Sequence, residues 1–361
     1  MPNTESVSHH DLIVCACENQ EYSARDAIEA AIFRDELNER WKKFLHRVEA
    51  ERRADELDLD LDESAISAAA EAFRYEHDLI TAEETEAWLE NRSLTFDDFS
   101  DYFTRQYYAG ALHEIVPNET EYTSASSELR ELFVAELILS GELDRLTTDF
   151  IWRLAARCDE KEPTSEAVAA EEQNFFNRNR IEPAQLANWL ERLQRDSNWF
   201  NEMLVLEAAY RRRCDTLLVP QARQRELATL RLSLTRFETE VIELESRDAA
   251  QEALFCVRED GMSMEEIATE GRYPYRRADF LLEDIPADAQ QRFLSVSAGD
   301  VLEPVARSDE FELCRIIKKV EPQPEDPSVR SRIDRRLLDR HFSELTSRYT
   351  QRRLGISMPT E

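Results

Sequence analysis

The chain is expected to fold as a predominantly α-helical α+β protein: a long helical region with an internal repeat, then a small α+β module, then a C-terminal helix. Three observations lead there. Charged residues make up 34% of the 361 residues while only 6 are glycine, a composition that favours helices over a β-sandwich or barrel. Apolar residues recur at helical spacing through most of the first 230 positions. Strand-like patterns are few, and the clearest lie at residues 237–244 and 311–320.

The first long pattern covers residues 23–54. Ile28, Ile32, Leu37, Trp41, Phe44 and Leu45 recur three to five residues apart, and Ser23 can cap the start of one continuous helix. The pattern ends in the acidic run ADELDLDLDE. Asp58, Asp60 and Asp62 in that run resemble the opening of a calcium loop, but Glu63 stands where such a loop needs glycine. A linker and helix start is the preferred reading. His9-His10 and Cys15-x-Cys17 carry zinc-type side chains at a spacing that matches no standard site, so no metal site is assigned. The six cysteines are too dispersed for a disulfide framework, which leaves reduced thiols as the simpler expectation.

The next region repeats itself, with copies near 64–99 and 165–200. Ile80 matches Ile181, Trp88-Leu89 matches Trp189-Leu190, and Tyr75/Phe176 and Phe99/Phe200 fall on the same offset of 101 residues. Each copy reads as helix, turn, helix, turn, helix. Thr81 and Glu84 have capping-box spacing, and Pro183 suits a first helical position. Both tryptophans, at helical spacing beside leucine, are expected in the core. A groove lined by Tyr102, Phe103, Tyr107 and Tyr108 is the less favoured alternative to ordinary packing. Between the copies, residues 126–159 read as one helix with Gly141 as its weak point.

Residues 234–322 form the α+β module. A strand at 237–244 precedes a helix that Ser246 or Asp248 can cap and Gly261 ends, and Ser263 caps a second, short helix. Pro286 opens a further helix. In SAGDVLEPV, Gly299 makes a turn and Pro304-Val305 enters a strand, and Asp309-Glu310 turns the chain into the last strand. This order of elements, and SAGDVLEPV above all, resembles the parvulin (PpiC-type) peptidyl-prolyl isomerase domain over about a quarter of the chain. The repeated helical region before it resembles that of SurA/PrsA-type foldases. The expected division is 1–55, an N-terminal segment and long helix; 56–232, a SurA-like helical chaperone region; 233–322, a parvulin-like domain; and 323–361, a basic amphipathic C-terminal helix expected to fold back onto the helical region.

The resemblance implies an extended peptide as ligand and rotation about X-Pro bonds as chemistry. It also implies two histidines beneath the pocket, and there this sequence departs. No histidine lies between His113 and His341. Glu240 and Glu312 stand at the matching strand positions and are the candidate catalytic residues. Phe280, Leu281, Phe293 and Leu294 are the candidate peptide-binding wall. Two readings follow: a peptide-binding module with weak or absent isomerisation, which is preferred, or a parvulin-type isomerase whose two carboxylates share a proton. A non-catalytic structural adaptor is the third. The expected partner is an unfolded or precursor peptide, by family analogy in a peptide maturation or export complex, and no cofactor is expected.

A net charge of −31 argues against nucleic acid and against attraction to anionic lipid. No apolar run reaches membrane-spanning length, and the first residues lack the pattern of a secretory leader, so membrane contact is not expected and a cytoplasmic location is.

Overall fold

The computed structural model describes residues 8–116, 120–159, 162–307 and 310–353. The fold is mainly helical α+β, and it divides into two compact units. One takes the chain up to Cys214 and again from His341 onward; the other is Asp215–Arg340. No described helix is long and apolar enough to cross a membrane.

The first unit opens with a hairpin of β1 (Ile13–Cys17) and β2 (Gln20–Ser23). The segment carrying Cys15 and Cys17 is thus a strand, and all its residues after Ile13 are buried. A complete capping box between Ser23 and Asp26 starts α1 (Ala24–Phe33). The single helix expected over 23–54 is in fact two. Asp35 takes φ 57°, and α2 (Asn38–Glu56) begins after it. The five-residue step from Ile32 to Leu37 is where the helical phase breaks. Turning there lets both Phe33 and Trp41 enter the core, at 1% and 3% exposure.

Asp62 caps the next helix, its side chain accepting from the backbone N–H groups of Ser64 and Ala65. The first repeat copy then runs α3 (Glu63–Glu76), α4 (Ala82–Glu90), α5 (Phe96–Ala111). Two helices separate the copies where one was expected, α6 (Ser127–Leu139) and α7 (Glu142–Asp159). Gly141 lies between them at φ 71°, a left-handed conformation glycine adopts without steric cost. The second copy is α8 (Ser165–Asn179), α9 (Leu186–Leu193), α10 (Ser197–Leu217), with Pro183 opening a short 3-10 turn before α9.

The second unit begins with α11 (Pro220–Leu230) and β3 (Arg236–Leu244). Then come α12 (Arg247–Arg258), capped by Ser246, and α13 (Met264–Gly271), with a capping box between Ser263 and Glu266. An unforeseen strand follows, β4 (Tyr275–Leu281). Its Arg276, Arg277 and Asp279 hide it from a reading based on apolar alternation, and charges of this kind protect a sheet edge from other chains. After α14 (Ala287–Ser295) come β5 (Val305–Arg307) and β6 (Glu310–Val320). The turn expected at Asp309 lies outside the described residues. The sheet is antiparallel throughout, in the order β4-β3-β6-β5.

The last elements are α15 (Pro327–Tyr349) and β7 (Thr350–Arg352). In the second unit, Val329 and Ile333 pack with Leu230, Leu234 and Leu281. In the first, Phe342 stacks on Trp152 at 4.9 Å, and β7 pairs with β1. The basic C-terminal stretch meets acids there, Arg348 with Asp159 and Arg352 with Asp144.

Candidate functional site

Direct pairing in an antiparallel sheet fixes which side chains share a face. Glu240 pairs with Arg277 on β4 and Arg315 on β6; Glu312 pairs with Glu243. Positions 240 and 243 on one strand differ by an odd number, so they project to opposite faces. The two carboxylates expected to share a proton therefore sit on opposite sides of the sheet, and the structure does not bring them together.

Each has its own partners. Glu240 accepts from the Tyr275 hydroxyl at 2.9 Å, with the guanidinium groups of Arg277 at 3.5 Å and Arg315 at 3.8 Å. Glu312 accepts from Arg276 at 2.8 Å, and the same arginine reaches Glu243 at 3.3 Å. Cross-strand ion pairs of this sort contribute about 0.2–1 kcal/mol each. The Cys314 thiol lies on the Glu312 face, and burial pushes it up to about 12, so it stays protonated.

The four wall residues separate as well. Phe280 and Phe293 pack together against Phe237, Leu282, Ile285 and Ile316, with Phe293 edge-on to Phe237 at 5.5 Å. Leu281, the next residue along β4, points to the other face and packs with Leu230 and Ile333. Leu294 is 39% exposed, and Lys319 donates to its carbonyl at 3.0 Å.

A hollow that the sequence reading missed lies in the helical unit. It is a groove of about 820 Å³ between the first half of α2 and the last turns of α5, continuing to Val116, Thr120 and Glu121. Trp41 and Leu45 form an apolar floor, with Ala109, Gly110 and the 85%-exposed Val116 opposite. Lys42, Lys43, His46 and Arg47 make one rim. Trp41 is held from behind: it meets Phe133 edge-on at 4.9 Å and Tyr122 at 5.3 Å, and its indole N–H donates to the Thr120 carbonyl. Beneath the rim, Arg47 donates to the buried Glu136 at 2.6 Å. The tyrosine-lined groove considered from sequence is packed instead, with Tyr102, Phe103 and Tyr108 each at 7% exposure. The open side of α5 carries Gln106, Ala109 and Gly110, and a β-carbon at Gly110 would meet nothing within 4 Å. The small-residue pair Ala109-Gly110 directly after Tyr107-Tyr108, together with the lysine pair Lys42-Lys43, was the available signal.

His9 and His10 do not face Cys15 and Cys17 as a ligand set. His10 is buried between Glu131, 2.7 Å from Nδ1, and the Tyr122 hydroxyl, 2.8 Å from Nε2. Burial holds its pKa below the usual value.

No family model matches the chain, and no curated protein sequence does. Among solved structures it is similar to the peptidylprolyl isomerase PrsA of Bacillus cereus, with 12% identity and a TM-score of 0.37 over 63% of this chain and 90% of that one. It is similar to the foldase PrsA of Streptococcus pneumoniae, with 10% identity and a TM-score of 0.27 over 64% and 92%. A solved structure from work on SurA-like chaperones of Campylobacter jejuni matches at 7% identity and a TM-score of 0.19 over 58% and 81%. The likeness to PrsA- and SurA-like chaperone-foldases is thus structural and distant.

Proposed function

We propose that this protein is a peptide-binding chaperone that holds unfolded or precursor peptides in the groove of its helical unit, with prolyl isomerisation weak or absent. The observation that carries the reading is the groove itself: a floor of Trp41 and Leu45, small residues at Ala109 and Gly110, and volume for one or two large side chains of an extended peptide. Its rim holds two of the chain's five lysines on a protein of net charge −31. An apolar segment flanked by acidic residues complements that surface, and acidic clients are otherwise repelled.

The sheet module supports the second half of the reading. Asp215–Arg340 contains no histidine, and its two candidate carboxylates lie on opposite faces, engaged with arginines. Neither arrangement supplies a group poised over a proline amide. Service to a maturation or export system belongs to the proposal as the source of the client.

The test has two arms. Anisotropy titration of a labelled peptide with an apolar centre and acidic flanks is expected to saturate, with weaker binding to a basic-flanked version. Failure of every unfolded peptide to bind at 100-fold protein excess sinks the chaperone reading and favours an adaptor. In the second arm, isomerisation of a proline tetrapeptide is expected to run within about twofold of the uncatalysed rate. A hundredfold acceleration (about 2.7 kcal/mol off the barrier) overturns that half.

A further inference from the structure

The Cys15-x-Cys17 strand plays no part in the proposed peptide site, but its second cysteine has a neighbour the sequence could not reveal. Cys17 is the last residue of β1, paired on one side with Gln20 of β2 and on the other with Thr350 of β7. Cys158 lies in the last turn of α7. Although 141 residues apart, their sulfur atoms stand 3.1 Å from one another, both thiols free. A disulfide bond is about 2.05 Å long, so closure needs a shift of only about 1 Å. We propose that Cys17 and Cys158 are a reversible disulfide pair, a modification site open to low-molecular-weight disulfides such as oxidised glutathione.

The two thiols are unequal. Cys17 is buried, and burial together with the neighbouring Cys158 pushes its pKa well up, which makes it a poor first nucleophile. Cys158 is partly exposed and meets the oxidant first. Its sulfur attacks one sulfur of oxidised glutathione; that S–S bond breaks and the first glutathione leaves as a thiol. Cys17 then attacks the Cys158 sulfur of the mixed disulfide and releases the second glutathione. The protein loses two thiol protons and two electrons, and two glutathione thiols gain them.

The bond would close a ring around α1 through α7, which contains the first repeat copy and the groove. It would also fasten the end of β1 to the end of α7, where the returning C-terminal chain is already held by the Tyr349 hydroxyl, which donates to Asp159 at 2.9 Å. A ring this long constrains the unfolded chain strongly.

The experiment uses the full-length protein, equilibrated at pH 8 with oxidised glutathione, alkylated, and mapped by mass spectrometry of its proteolytic peptides. A cross-linked pair containing Cys17 and Cys158 is expected, reverting with dithiothreitol and absent from Cys158→Ser. The oxidised protein should melt about 5–10 °C above the reduced one. Recovery of Cys17 as an alkylated thiol, with Cys158 alkylated or carrying glutathione, overturns the proposal. So does a bond that joins either cysteine to a different partner. The wild-type result decides the matter even if the variant folds poorly.

Discussion

The two repeat copies share a pattern, yet the structure uses them differently. In the second, Phe175 is fully buried and meets Trp189 at 5.0 Å, Phe200 at 4.9 Å and Phe33 of α1 at 4.8 Å. In the first, Phe73 takes the same place, meeting Trp88 at 5.5 Å and Phe99 at 5.4 Å, but no α1 aromatic closes over it. Trp189 is 7% exposed while Trp88 is half-buried beneath the Arg92 guanidinium. Ahead of the tryptophan helices the structural offset is 102 residues, as Phe73/Phe175 and the left-handed Asp78/Arg180 show, so Ile181 corresponds to the buried Leu79 and leaves Ile80 as a 62%-exposed surface residue. The groove is likewise a first-copy feature. Gly110 leaves open space there, and the position 101 residues on is Arg211, which binds the buried Glu171. The same local pattern serves as core when a neighbouring helix covers it and as usable surface when none does.

Tryptophan removal should expose the contrast most strongly. Trp189→Ala is expected to cost about 3–5 kcal/mol and Trp88→Ala about half that, because only the first leaves a closed cavity. Urea denaturation of both variants measures this, and equal losses would mean the copies are equally packed. Filling the groove comes next. Gly110→Leu should keep or raise stability, by up to about 1 kcal/mol from helix propensity, while weakening peptide affinity at least about tenfold. Unchanged affinity in the anisotropy titration moves the peptide elsewhere. The starts of the two tryptophan helices differ too. Thr81 caps α4 with a full capping box, while α9 has no side-chain cap and follows Pro183. Thr81→Ala should cost about 1 kcal/mol and Pro183→Ala about half of that, acting mainly through the unfolded chain. Thermal melts of the two would settle the order.

The smallest effect concerns the anchor on α6, which packs on α5 of the first copy. Burial keeps His10 below its usual 6.5, so the unfolded chain takes up a proton first as pH falls through that value. Stability is then lost from about pH 6.5 downward. At Glu131, burial pushes the pKa up, but bonds from Ser8, His10 and the His9 backbone outweigh it and leave the group below its usual 4.5, so a second loss begins under pH 4.5. Melting temperatures of His10→Gln should fall less between pH 7 and 5 than those of the wild type. Parallel slopes would remove His10 from the account.

Much of the fold was legible because its signals are local. Caps at Ser23, Thr81, Ser246 and Ser263, the glycine turns at Gly141 and Gly299, and the helix-turn-helix order of both copies depend on residues a few positions apart. The breaks at Asp35 and Gly141 were half-visible, as a phase slip and a glycine. Strand β4 was not, because an edge strand with three charged side chains has no apolar alternation to read. The candidate site was the least legible. Glu240 and Glu312 are marked in the sequence only by position along two strands, but whether two side chains meet depends on register, and one residue of register changes the face.

By itself the sequence determined the helical character, the repeat, the module order and the absence of histidine from residues 114–340. Only the tertiary structure decided which copy is covered, that Glu240 and Glu312 face apart, that α2 and α5 leave a groove, and that Cys17 meets Cys158. The physical reason is range. Helix periodicity and capping act within a few residues, whereas cross-strand register, burial and sulfur contact are set by distant segments, 141 positions apart for Cys17 and Cys158 and 337 for the paired Cys15 and Arg352.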